Sequence, residues 1–312
     1  MSSPSSTLSE TIAKNSALNS RSGLKAIAIF IGLFLASWIT AVILGVGITQ
    51  IMNWLHAGPN LRTFIGDTIA RGGNLVVQLI LVSQATRLFL KRSLSKTAFL
   101  RSASWWKDLS FGLLIASLAM GLVFIFETAM GWLVVDGWTW QSLNMETWLR
   151  GFWLSILTST LAAVSEEALL RGYLLTALTE SWGQWIALGL MSILFALPHL
   201  LVSGAEETNW LLFTLLLALP GLMLGWIYLK SGTLWLPIGI HFAWNMMQGD
   251  FFNLSGERGV ALFGAITHLP GPSWIVGTTY GIEVGLLGIL ALLFVWICTT
   301  VWLCWREERF HD

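Results

Sequence analysis

The sequence predicts an all-α fold, a polytopic bundle of about eight transmembrane helices. Of the 312 residues, 55% are hydrophobic and only 11% are charged, and the mean hydropathy is +0.71. A soluble domain carries about 25% charged residues, so this chain lacks the polar side chains that would cover a water-exposed surface. Lipid is therefore the solvent that the composition indicates.

Eight apolar segments are candidates for spans, because a membrane-crossing helix needs roughly 20 mostly apolar residues. They cover about residues 25–54, 72–90, 109–135, 148–180, 184–202, 210–230, 233–248 and 274–305. The polar, serine-rich segment Met1–Gly23 precedes the first span and predicts a disordered cytoplasmic tail. The spans then divide into N-terminal transmembrane helices (24–147), a central core (148–248), and an extramembrane loop with a C-terminal transmembrane helix (249–312).

The distribution of lysine and arginine predicts the orientation, because cytoplasmic loops carry the positive excess. With the N-terminus inside, twelve basic residues fall on the cytoplasmic side: Lys14, Arg21, Lys25, Arg87, Lys91, Arg92, Lys96, Arg101, Lys107, Lys230, Arg306 and Arg309. Four fall outside: Arg62, Arg71, Arg150 and Arg258. We therefore expect both termini in the cytoplasm, in a multi-pass protein of the cell membrane.

Composition also excludes several classes of protein. The net charge is zero, which gives no basis for nucleic-acid binding. The two cysteines, Cys298 and Cys304, lie at the last span and form neither a disulfide scaffold nor a CxxC metal motif. Many of the 19 tryptophans fall at predicted helix ends, where interfacial anchoring explains them.

Three charged residues, Glu166, Glu167 and Arg171, lie inside the fourth predicted span and away from its ends. A charge inside a membrane span costs about 2.5–3.5 kcal/mol on insertion scales. Glu167 and Arg171 are four residues apart, so they share a helix face and are expected to pair. Glu166 points about 100° away from Glu167 around the helix, which leaves it without a local partner.

Two further spans also carry polar groups that are out of place in lipid. His199 lies in the fifth span, and His241 and Asn245 lie four residues apart in the seventh. One shared interior cavity is the economical arrangement for these side chains and Glu166. In such a cavity a glutamate can act as a base, and histidine and asparagine can bind a developing oxyanion.

Each feature also has a structural interpretation. The Glu167–Arg171 pair can simply stabilise its helix, and intramembrane His and Asn commonly form hydrogen bonds between helices. A charged cavity also suits a transporter that binds an ion or a small substrate, or a non-catalytic membrane adaptor. The occurrence of four such residues on three spans favours a functional site over isolated structural contacts.

The ordered set of motifs resembles the CPBP family, the CAAX-prenyl-protease-type and bacteriocin-processing intramembrane proteases, also called the Abi family. The motifs are Glu166-Glu167-xxx-Arg171, Phe195-xxx-His199 and His241-xxx-Asn245. The resemblance covers about 148–248, roughly a third of the chain, and includes the Arg171-Gly172 and Ser231-Gly-Thr-Leu-Trp-Leu-Pro surroundings.

The resemblance implies an intramembrane endopeptidase. Glu166 matches the water-activating glutamate of the family, with His199 assisting, and His241 and Asn245 match the pair that stabilises the oxyanion. Glu167 and Arg171 match the partly structural remainder of the first motif. Family members cleave prenylated C-terminal tails or process peptides, and others confer self-immunity to bacteriocins. The expected partners are thus a peptide or protein substrate, prenylated or not, and the lipid bilayer.

The sequence leaves the catalytic type open between a glutamic and a metallopeptidase. Glu166, His199 and His241 could hold a Zn²⁺ with an open coordination position. The HExxH spacing of soluble zinc proteases is absent. The metal-free glutamate mechanism is the one that we favour, with no cofactor required.

Overall fold

The computed structural model describes residues 4–56, 58–99, 105–202, 210–254, 263–278 and 281–310. Arg101 and Arg258, which enter the predicted orientation, lie outside the described residues, as do the first three residues of the predicted tail. The described chain is a bundle of α-helices with one small sheet, and the predicted all-α membrane bundle is confirmed.

The N-terminal helix α1 (Pro4–Trp54) is longer than the sequence predicts. It includes most of the segment Met1–Gly23 that was expected to be disordered. The chain has no glycine and no further proline between residues 5 and 22. Once a stable helix has formed, each further residue adds a hydrogen bond without a new nucleation cost, so the helix of the first span extends back through the polar segment.

Helices α2 (Pro59–Phe89) and α3 (Trp105–Ala129) follow. The chain then forms strand β1 (Val134–Trp138), which pairs antiparallel with strand β2 (Ala265–His268) much later in the sequence. The predicted third span, 109–135, therefore ends early. Gly131 has φ +68°, a value that lies outside the right-handed helical range and that glycine adopts at no steric cost. The helix therefore ends before it.

The central core begins with α4 (Thr139–Ser142) and α5 (Met145–Glu166). A π-helical segment (Glu167–Leu175) and α6 (Thr176–Trp182) continue α5 directly. The wider turn of a π-helix forms i→i+5 hydrogen bonds and often marks a functional site. Here it begins at Glu167, in the middle of the first motif.

Three helices complete the core. They are α7 (Gln184–Val202), α8 (Trp210–Ser231) and α9 (Trp235–Asn245), and a second π-helical segment (Met246–Phe251) extends α9. The second motif therefore lies on α7 and the third on α9. These two π-helical segments begin at or beside a motif residue, whereas a third, Ser95–Phe99, lies between α2 and α3.

The predicted last span, 274–305, starts later than expected. Its first part is the short helix α10 (Ser273–Val276) and a 3₁₀ turn (Ile282–Val284), and the long helix α11 (Leu286–Phe310) follows. Gly277 and Gly281 have φ of +91° and +132°, which a helix does not accommodate. Residues 279 and 280 lie outside the described part.

Five helices are long and apolar enough to cross a membrane by length and composition: Arg21–Trp54, Phe64–Phe89, Trp105–Ala129, Trp210–Ser231 and Leu286–Arg306. The other three predicted spans, at α5–α6, α7 and α9, are helical but shorter or more polar. In the first of the five, only 6% of the apolar window is buried inside the protein. Such large exposed apolar surfaces mark an integral membrane protein; the count of eight spans stays a prediction.

The helices of the core pack so closely that backbone meets backbone. Helix α3 crosses α9, and a Cβ atom added to Gly112 would lie 2.7 Å from the carbonyl oxygen of Leu236. From the other side, a Cβ atom on Gly239 would lie 2.5 Å from the carbonyl oxygen of Leu109. Two glycines thus set the position of α9, on which His241 and Asn245 are carried.

Candidate active site

A cavity of about 100 Å³ lies among α5, α7, α8, α9, the 3₁₀ turn and α11. Four predicted site residues line it: Glu166, His199, His241 and Asn245. Its remaining wall is mainly apolar: Phe195, Leu217, Pro220, Met223, Leu224, Ile240, Trp244 and Leu292. Glu283 completes the lining. The polar residues of three helices therefore share one interior space, as the sequence predicts.

Glu167 lies behind this cavity and is the centre of a buried hydrogen-bond network. Its Oε1 atom accepts from Arg171 Nη1 at 2.8 Å, and neither side chain is exposed. The same Oε1 atom lies 2.9 Å from Nδ1 of His241. A carboxylate only accepts here, so Nδ1 carries a proton. Glu167 therefore fixes the ring of His241 in addition to pairing with Arg171.

Arg171 joins the π-helical segment to two neighbouring helices. Its Nη2 atom donates to the backbone carbonyl oxygen of Gly221 on α8 at 3.2 Å. Its guanidinium carbon lies 5.1 Å from the ring centroid of Phe195 on α7, a cation–π contact. These contacts satisfy a charge that would otherwise be costly in a fully buried position.

Glu166 differs from its neighbour in both exposure and contacts. Its side chain is 37% exposed and faces the cavity, whereas Glu167 is wholly buried. Its Oε2 atom lies 3.9 Å from Nε2 of His241, which is beyond direct hydrogen-bond length. The two adjacent glutamates thus lie on opposite sides of one imidazole, Glu167 bonded to Nδ1 and Glu166 near Nε2, and Glu166 is the one that water reaches.

His199 is held by its own helix. Its Nδ1 atom lies 2.9 Å from the backbone carbonyl oxygen of Phe195, so Nδ1 is the donor and Nε2 of the neutral ring is an acceptor. Pro198 precedes it inside α7 and lacks the backbone N–H of a regular turn. The ring of Phe195 lies 4.9 Å from that of His199 and 6.4 Å from that of His241.

A metal fits these residues poorly. Among the residues that the structure describes, no group of three or more His, Cys, Asp or Glu side chains is arranged to hold a metal ion. The predicted alternative set of Glu166, His199 and His241 lines one cavity but does not converge as ligands.

Glu283 is the cavity residue that the sequence interpretation missed. The sequence predicts it near the outer membrane interface, at the start of the last span, where a carboxylate needs no particular role. Its Oε1 atom accepts from Trp244 Nε1 at 2.8 Å, and its Oε2 atom accepts from Gln248 Nε2 at 3.1 Å. The available signal was a carboxylate inside an apolar segment, which is itself a mark of function in membrane proteins.

Comparison with known proteins agrees with this geometry. Residues 146–247 match the family model described as "Type II CAAX prenyl endopeptidase Rce1-like". No curated protein and no solved structure matches the chain. The matched segment contains all three motifs and supports a CAAX-type intramembrane protease at the family level, acting on a peptide or protein. The predicted resemblance to CAAX proteases is thereby confirmed over residues 146–247, about a third of the chain.

Proposed function

We propose that this chain is an intramembrane endopeptidase that cleaves a peptide or protein tail in the cavity, with Glu166 as its general base. The observation that carries the proposal is the division between the two glutamates. Glu166 is open to the cavity, and its Oε2 atom lies 3.9 Å from Nε2 of His241. Glu167 is buried and already bound on its Oε1 atom by Arg171 and His241.

In this mechanism Glu166 takes a proton from a water molecule, and the water oxygen attacks the carbonyl carbon of the scissile bond. The carbonyl oxygen becomes negative and needs donors directed at it. The side-chain amide of Asn245 supplies one. When His241 carries protons on both nitrogens, Nδ1–H donates to Glu167 and Nε2–H supplies the second. Glu166 then returns its proton to the leaving amine as the carbon–nitrogen bond breaks.

His199 has a supporting part in the proposal. Its Nδ1–H donates to the carbonyl oxygen of Phe195, which orients the ring and presents Nε2 as an acceptor. An acceptor beside the cavity can hold the attacking water in the correct orientation for Glu166. Arg171 does not touch the substrate in this scheme; it holds Glu167 and, through it, His241.

The apolar wall supports a substrate with an apolar group near the scissile bond. Leu217, Met223, Leu224 and Leu292 lie on the cavity surface, and burial of apolar surface contributes about 25 cal/mol per Å². A prenylated C-terminal tail would supply such a group, and so would an apolar peptide segment. The experiment below tests both kinds of substrate. The proposed location of the protein is the cell membrane, with both termini in the cytoplasm.

The decisive experiment compares the full chain with its Glu166→Gln variant in detergent. A library of peptides, each synthesised with and without a prenyl group, is incubated with both and analysed by mass spectrometry. We expect cleavage by the wild type and a loss of at least about 100-fold in Glu166→Gln, the scale of general-base catalysis. Melting temperatures should agree, because Glu166 is half exposed. Normal cleavage by Glu166→Gln would overturn the proposal.

Glu180→Gln is the matched control for this experiment. This substitution makes the same chemical change at an exposed position, where the Glu180 carboxylate pairs with Arg92 at 2.7 Å. It should retain the wild-type rate. A transporter or an adaptor would give no cleavage product with any of the three proteins.

A further inference from the structure

Glu283 reaches the cavity from outside the segment that carries the motifs. It lies in the 3₁₀ turn Ile282–Val284, between β2 and α11, whereas the family match ends at residue 247. It is one of two carboxylates that line the cavity, the other being Glu166. The proposed mechanism uses Glu166 and leaves Glu283 without a part.

Two side chains of one helical face hold the Glu283 carboxylate. Trp244 and Gln248 are four residues apart along α9 and its π-helical extension, and each donates one hydrogen bond to a different carboxylate oxygen. An ionised carboxylate has about four acceptor sites. Two bonds therefore fix its orientation and leave capacity for donors from a bound molecule.

A glycine two residues before Glu283 allows the backbone of the turn to approach the carboxylate closely. Gly281 has φ +132°, a conformation that L side chains rarely adopt. A Cβ atom at that position would overlap the Glu283 carboxylate and the side-chain amide of Gln248. The close approach of the turn to the carboxylate thus requires glycine, and the turn holds Glu283 against α9.

Apart from the two histidines, the ionisable side chains in the cavity wall have one sign. Glu166 and Glu283 lie in its wall, while the neighbouring cation, Arg171, is fully buried and bound to Glu167. Most of the remaining wall is apolar and offers no competing partner. A cavity lined by carboxylates with low-dielectric walls attracts cations and repels anions.

We infer that Glu283 is a specificity-determining residue that binds a lysine or arginine side chain of the substrate near the scissile bond. The inference rests on the proposed peptidase function. The cationic group would donate to the two carboxylate oxygens that Trp244 and Gln248 hold in place. Peptides with an acidic residue at the same position would be disfavoured by both Glu283 and Glu166.

The test uses sets of peptides that differ only in having Lys, Gln or Glu at one position, scanned through four positions on each side of the cleaved bond. At one position we expect wild-type kcat/KM for Lys to exceed that for Glu by about tenfold or more, the scale of a charge-assisted hydrogen bond. In Glu283→Gln this ratio should fall to about twofold. Glu180→Gln, the exposed control, should keep the wild-type ratio.

Two further measurements separate the possible failures. Binding of the same fluorescent peptides to Glu166→Gln, with and without Glu283→Gln, reports selection without turnover. Lys-selective binding that requires Glu283, with no cleavage by the wild type, would sink the proposed function and keep this inference. An equal Lys preference with and without Glu283, or none in the wild type, means that Glu283 only ties the turn to α9. Should Glu283→Gln fail to fold, Glu283→Asp retains the charge and must still prefer Lys.

Discussion

Glu167 is the residue on which the site depends most, because one oxygen atom serves two partners. The i, i+4 spacing to Arg171 is visible in the sequence, and the predicted pair is present. The second partner, His241, lies 74 residues further along the chain, and no local pattern reveals it. Glu167, which the sequence predicts as the partner of Arg171, thus also orients the imidazole of His241.

Substitution of Glu167 should therefore affect stability more than substitution of Glu166. Glu167→Gln leaves the buried guanidinium of Arg171 without its counter-charge, which costs about 3–5 kcal/mol. We expect a clear fall in melting temperature and in folded yield, together with slower cleavage because His241 loses the negative charge beside its Nδ1 atom. Differential scanning fluorimetry in detergent measures the first effect. A Glu167→Gln protein that melts like the wild type would refute this account.

The donor geometry also predicts how the enzyme responds to loss of metal. Glu166, His199 and His241 do not converge as ligands, so treatment with a divalent-metal chelator followed by gel filtration should leave the cleavage rate unchanged. Elemental analysis of the treated sample checks that metal has been removed. Loss of activity that Zn²⁺ restores would contradict the glutamate mechanism.

The candidate site was largely predictable from residue type, because a polar or charged group inside a membrane span is costly and therefore usually has a partner or a function. Glu166, His199, His241 and Asn245 stand out in apolar segments, and they do line one cavity. Glu283 stands out by the same criterion. It was missed because it was placed at a membrane interface, where a carboxylate needs no explanation, whereas the glycines around it form a turn that folds inward.

At the scale of elements, the crossing of α3 and α9 decides where the third motif lies. Gly112 and Gly239 face each other there without side chains, so the helix axes approach more closely than larger residues allow. His241 follows Gly239 by two residues. A displacement of α9 by a fraction of an ångström would therefore alter the distances between His241 and both glutamates.

Gly239→Ala tests this crossing. Its new methyl group would lie 2.5 Å from the carbonyl oxygen of Leu109, a contact that only backbone movement can relieve. We expect lower thermal stability and a fall in cleavage rate. Gly189→Ala on α7 is the matched control, because its Cβ atom meets nothing within 4 Å. There the better helix propensity of alanine, by about 0.8–1.0 kcal/mol, should leave stability equal or higher. Equal behaviour of the two variants would show that the crossing is not tight.

Elements were predicted unevenly, and the reasons are physical. Apolar runs identified the helices because lipid requires every backbone group to be bonded within its own segment. The pairing of β1 with β2 joins residues about 130 positions apart. The two strands have only five and four residues, which is too short for a clear alternating pattern in the sequence. The π-helical segments are likewise invisible, since their i→i+5 hydrogen bonds leave no distinct periodic signal in the sequence.

For the whole molecule, the number of crossings decides the placement of the termini. Five helices are long and apolar enough to cross by composition alone, and an odd number would place the termini on opposite sides. The basic residues predict eight crossings and both termini in the cytoplasm, because the twelve-to-four excess falls on one side. Three core segments, α5–α6, α7 and α9, make the difference between the two counts, and they carry the motif residues.

Tag accessibility distinguishes these arrangements. An epitope at either end should be protected from externally added protease in intact cells and be cleaved after permeabilisation. A cytoplasmic reporter serves as the control for cell integrity. Exposure of the C-terminal tag alone in intact cells would contradict the eight-span prediction and favour an odd count.

The turn that carries Glu283, together with Leu292 of α11, closes the cavity with material from beyond residue 247. On the proposed role of Glu283, part of the choice of substrate is encoded outside the stretch that carries the motifs. Exchange of residues 263–310 between relatives with different substrates should transplant preference while the motif helices stay untouched. Substitutions in the part of the cavity wall that lies beyond residue 247 can then change substrate selectivity while the motif residues that break the bond stay the same.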